Sequence, residues 1–61
     1  MDDRYRFDLE PSARHAGRFN YWIGRSDRPN WGERSMSSFA SPEEAARAAM
    51  ARIEFLLKLA P

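Results

Sequence analysis

The hydrophobic pattern of this chain changes once, at Ser41, and that change confines it to a sheet followed by a helix. Ser41-Pro42-Glu43-Glu44 writes a helix start: a hydroxyl N-cap, proline at the first helical position and glutamate three residues after the cap. The Ser41 oxygen is placed to accept from the otherwise orphaned N–H of Glu44, and the Glu44 carboxylate to reach back to the N–H of Ser41. Both early acids suit the positive end of the helix dipole. The following residues predict a helix over 42–59, roughly 27 Å long at 1.5 Å per residue. Ala46, Ala49, Met50, Ile53, Leu56, Leu57 and Ala60 recur at three- and four-residue intervals and predict its core stripe. Glu43, Arg47, Glu54 and Lys58 form the wet side, with acid-before-base pairs four apart at 43/47 and 54/58.

Before Ser41 the period is two. Residues 4–10 alternate, with Tyr5, Phe7 and Leu9 on one side and Arg4, Arg6, Asp8 and Glu10 on the other. Residues 18–25 repeat the pattern: Phe19, Tyr21 and Ile23 share one face, and Arg18, Asn20, Trp22 and Gly24 the other. Proline, asparagine and glycine mark the connections around 11–17 and 26–32. A third, weakly patterned strand is expected over 33–39, at a sheet edge. The expectation is α+β: a three-stranded antiparallel sheet packed on one C-terminal helix, in one small domain spanning 1–61.

The run Phe39-Ala40-Ser41-Pro42-Glu43-Glu44-Ala45, preceded by three strands, resembles two groups. One comprises small uncharacterised bacterial domains in which a phenylalanine-containing strand runs into a Ser-x-Glu-Glu-Ala helix. The other is the arm-binding domain of tyrosine recombinases, which reads DNA with a three-stranded sheet backed by a helix. The likeness covers about seven residues and implies the strand-strand-strand-helix layout; it assigns no functional residue.

At 61 residues a chain buries only ~60% of its unfolded surface, so its core needs supplementing. Disulfides and thiolate metal sites are excluded, because there is no cysteine. His15 is the only histidine, a poor basis for a zinc site, so no metal or other cofactor is expected. Association with itself or with another protein is the remaining supplement. No apolar run approaches the ~20 residues of a membrane span. Met1-Asp2-Asp3 does not open a secretory signal, so a cytoplasmic location is expected.

Three surfaces are candidates. On the predicted open face of the sheet, Trp22 lies among Arg6 and Arg18. It either stacks on a ligand or packs across the arginine stems. Residues 14–34 hold five arginines against two acids, and Arg25, Arg28 and Trp31 would reach from the loop toward the open face. That content suits a phosphate backbone or a solvated loop, and Asp2, Asp3, Asp8 and Glu10 lie close enough in sequence to neutralise it. The third surface is a helix flank. Ala48, Phe55 and Leu59, next to Ala45, widen the apolar arc to roughly 220°, well beyond the ~100° needed to cover one layer. Phe55 should therefore stand partly in water unless the N-terminal strand or the loop folds over it, or a second copy does. With a net charge of +1 the chain has little general attraction for nucleic acid, so nucleic-acid binding is the alternative to a protein-interaction role. Isolated glycines, a lone histidine and serines without a nearby base give no catalytic constellation.

Overall fold

In the computed structural model, which describes residues 4–59, three strands and one helix follow in the expected order. β1 is Tyr5–Pro11, β2 is Phe19–Arg25, β3 is Gly32–Arg34 and α1 is Pro42–Leu59. The sheet is antiparallel in the order β1-β2-β3, and α1 covers β1 and β2. The α+β layout is thus that of a three-stranded sheet under a single C-terminal helix. Asp2, Asp3 and Ala60 lie outside the described residues.

β1 and β2 pair without a bulge, from Tyr5 opposite Arg25 to Pro11 opposite Phe19. Their loop is closed by Ser12, whose Oγ accepts from the N–H groups of Arg14 at 3.3 Å and His15 at 3.2 Å. Gly17 completes the turn at φ +79°, a conformation that a Cβ would strain.

The third strand differs from the expected span 33–39. Its ladder holds Trp22 opposite Arg34, Ile23 opposite Glu33 and Gly24 opposite Gly32. Gly32, read as a bend residue, is therefore in the sheet. The Ser35 N–H still donates to the Tyr21 carbonyl at 2.9 Å, and the chain then bows outward. It returns where Phe39 and Phe19 exchange backbone hydrogen bonds of 2.9 and 2.7 Å. Three residues, 36–38, thus oppose Asn20 alone, which is a bulge. Asn20 holds it by donating from Nδ2 to Ser35 Oγ at 3.0 Å and to the Ser37 carbonyl at 3.2 Å. Short polar side chains that compete for backbone groups explain why this stretch leaves the ladder.

The helix starts at the predicted cap. The Glu44 N–H donates to Ser41 Oγ at 3.2 Å, while the Glu44 carboxylate accepts from the N–H of Ala40 at 3.3 Å rather than from Ser41. Running the same way as β2, the helix is fixed near its middle by Arg52. That guanidinium donates to both Glu33 carboxylate oxygens, at 2.8 and 3.3 Å. The expected pairs at 43/47 and 54/58 do not close among the described residues. All four side chains are exposed, where ordering two long chains offsets most of the attraction.

The helical phase needs correction. Ala45, placed on the flank by its sequence position, is fully buried with Ala49 and Ile23, whereas Met50 is 47% exposed and leaves the core stripe. The buried line of α1 runs through Ala45 and Ala49 because small residues let the helix approach the sheet closely. Tyr21 and Phe39 extend the core with stacked rings, 6.1 Å apart and inclined by 22°.

Ile23 occupies the only fully closed position for a large side chain among the described residues. Ile23→Val should lower the unfolding free energy by about 1 kcal/mol. Met36→Ala, at a fully exposed bulge position, should change it by less than about 0.5 kcal/mol. Urea titrations followed by circular dichroism will show whether the two separate in this way.

Candidate interaction surfaces

The open sheet face is built around Trp22. Glycines stand next to it, at Gly24 two residues along its own strand and diagonally at Gly32 on β3, and its indole lies across both. A Cβ on Gly24 would fall 2.3 Å from Trp22 Cη2, and one on Gly32 would fall 3.0 Å from Cζ2. The Arg6 guanidinium sits 6.0 Å from the centre of the same ring. Trp22 is thus half-buried on its own backbone, with one arginine at its side. A tryptophan followed by glycine two residues later, on one strand face, is the sequence signal for this arrangement.

The remaining predicted open-face residues do not gather there. Arg18 is committed to the bulge, donating from Nε to Ser38 Oγ and from Nη2 to the Ser38 carbonyl, both at 2.7 Å. Arg25 is on the helix-covered face, in register with Tyr5, and its guanidinium lies 5.2 Å from the Tyr5 ring centre. It also pairs with Asp27 at 2.6 Å. Trp31 turns to the same end, its ring edge-on to Tyr5 at 6.0 Å and 76°. Arg25 and Trp31 are therefore corrected from the open face to a cap at one end of the covered face. Strand alternation carries Arg25 to the side of Ile23, and Trp31 to the side of Glu33. Arg28 stays exposed in the turn closed by the Trp31 N–H donating to the Arg28 carbonyl at 3.0 Å.

The hydrogen bond from Arg25 holds the Asp27 carboxyl below its ordinary range and raises the guanidinium further. A lowered carboxyl contributes stability that is complete above its unfolded value and is lost as the pH falls through the folded one. Because Asp27 is exposed to solvent, that contribution is small.

A groove of about 830 Å³ lies between the β1–β2 loop and the serine bulge. Arg14, His15, Arg18 and Arg34 line it with Ser35, Ser37 and Asn20. Arg34 is held there by Glu10, which accepts from its Nε at 2.7 Å across β2. Reading residues 33–39 as a strand hid this groove, since only the outward bow of 36–38 opens it. Its legible signal was the serine density from Ser35 to Ser38.

The helix flank at Ala48, Phe55 and Leu59 is placed as its phase implies. Phe55 is 49% exposed and Leu59 is 65% exposed, while Ala48 is half-buried. Arg52 covers part of Phe55, with its guanidinium 5.2 Å from the ring centre. Because Arg52 is tied to Glu33, this is the flank on the β3 side.

No cluster of metal-ligating side chains occurs among the described residues, and no helix there is long and apolar enough to cross a membrane. No family model, curated protein or solved structure matches this chain.

The seat beneath Trp22 makes a signed prediction. Gly24→Ala should destabilise the protein by more than about 1 kcal/mol, because the new methyl overlaps the indole. In a Trp22→Ala background the same change should be neutral or stabilising, since alanine then only restricts the unfolded chain. Denaturation of the four proteins as a double-mutant cycle measures this coupling.

Proposed function

We propose that this protein is a small non-enzymatic interaction module that completes its apolar core by association with a protein surface, its own or another's. The observation that carries this reading is the mismatch between core and surface. The only apolar side chains buried among the described residues are those of Ile23, Ala45 and Ala49, while Met36, Met50, Phe55 and Leu59 are exposed. A monomer this small gains little from so short a buried list, and contact with a partner recovers the apolar area left outside. The flank of Phe55 and Leu59 next to Ala48 is one contact, since small Ala48 admits close approach beside a large ring.

Nucleic-acid binding is a second reading, favoured by one observation: three arginines and four serines line the groove beside the bulge. Anisotropy titrations with single- and double-stranded oligonucleotides test it. Under this reading affinity falls linearly in log–log terms with salt. An absence of binding at low salt removes it.

For the leading reading, sedimentation equilibrium of the wild type at high micromolar concentration should give a weight-average mass above the monomer. Phe55→Glu should lower that mass at equal concentration while leaving the fold intact. An unchanged mass would take the helix flank out of the reading.

A further inference from the structure

β1 is an outer strand with seven regular residues, and among the described residues no element lies beyond it. The phase of its ladder is set by two bonds, Ser26 N–H to the Arg4 carbonyl at 2.8 Å and Ser12 N–H to the Arg18 carbonyl at 2.9 Å. With the register of Arg6 opposite Gly24 and Asp8 opposite Trp22, these turn the backbone groups of Arg6, Asp8 and Glu10 inward to β2. The N–H and C=O groups of Tyr5, Phe7 and Leu9 consequently point outward, with no strand to receive them.

Exposed edges are usually blunted by bulges, internal proline or inward-facing charge. β1 has none of these between Tyr5 and Leu9: its register is unbroken, its proline is last, and its charges all lie on the open face. The order of those charges is the decisive feature. Around Phe7 the strand reads Arg4, Tyr5, Arg6, then Asp8, Leu9, Glu10, basic on one side and acidic on the other.

We propose that β1 pairs antiparallel with β1 of a second copy, about a twofold axis through Phe7. In that register Phe7 meets Phe7 of the second copy and Tyr5 meets its Leu9, all with outward backbone groups that can bond. On the open face Arg6 meets Asp8 of the second copy and Arg4 meets its Glu10, and each pair occurs twice. The neighbouring allowed registers are poorer on charge: each opposes two like charges on its axis and keeps two opposite-charge pairs instead of four. Centring on Arg6 opposes two arginines, and centring on Asp8 opposes two aspartates while setting Tyr5 against a proline without an N–H. Asp8 is exposed and forms no ion pair among the described residues, so the second copy's Arg6 would give it one.

Such pairing makes one six-stranded sheet with both helices on the same face. Arg52 and Phe55 mark the β3 flank of α1, so Met50, Ile53 and Leu57 occupy the flank toward β1. Met50 is 47% exposed and Leu9 36% exposed, and both would line the strip between the two helices. This inference rests on the association reading and deepens it by naming the edge and the partner.

The test uses charge reversal and rescue. Asp8→Arg opposes cations in the proposed register, and Arg6→Asp opposes anions. Both positions are exposed, and the fold of each variant is checked by circular dichroism. Each alone should raise the dissociation constant at least tenfold by sedimentation, and an equimolar mixture should restore a dimer of one of each. In the wild type, the amide of Phe7 should exchange more slowly as protein concentration rises. If both variants associate like the wild type, or if mixing restores nothing, the edge pairing is overturned while self-association stands. A wild type that is monomeric at high micromolar concentration overturns both.

Discussion

Everything else in this structure follows from how closely one helix lies on one strand. Ala45 and Ala49 present no more than a methyl group each to the sheet, and Ile23 fills the space they leave. A close approach of this kind excludes water with very few side-chain atoms, which suits a chain with little mass to spend. It also forces the bulky residues of α1 off the contact line. Phe55 and Met50 stand on opposite flanks because the middle is taken by alanine. The exposed apolar surface is a geometric consequence of the small core.

Arg52 converts that geometry into a definite orientation. It lies between the buried line and the Phe55 flank, where an amphipathic helix would ordinarily place an apolar residue. Its aliphatic stem can lie along the apolar surface while its guanidinium reaches Glu33. The Glu33 carboxylate raises the affinity of that guanidinium for its proton still further. A half-buried pair of this kind still contributes only modest stability; its value is directional. It fixes which flank of α1 faces β3, and thereby leaves Met50, Ile53 and Leu57 over the β1 side.

The layout was legible where period and capping agree. Alternation in 4–10 and 18–25, and the cap at Ser41, placed β1, β2 and α1 to within a residue. Two features were not legible, for separate reasons. The buried line of α1 was displaced because spacing counts alanine and methionine alike, whereas close packing selects the smaller residue for the contact. The bulge at 36–38 was hidden because serines satisfy a strand pattern weakly and a side-chain hydrogen-bond network strongly. Of the candidate site residues, Phe55, Leu59 and Trp22 were placed by phase alone. Arg25 and Trp31 were not, since loop residues carry no phase until the strands on either side define it.

The two faces and two edges of the sheet are not equivalent as partner surfaces. The helix takes one face. On the other, Trp22 has already spent its ring on Gly24 and Gly32, and Arg34 spans the sheet to Glu10, so little of that face is left uncommitted. The β3 edge has only three residues and ends in a bulge held by side chains, a poor template for further strands. That leaves β1, where backbone groups are regular, unpaired and flanked by charges whose order is its own complement when reversed. A strand that only needed to stay soluble could carry its charges in any order. An arrangement of cations on one side of Phe7 and anions on the other selects one antiparallel register and opposes the alternatives, which is the property a specific interface requires.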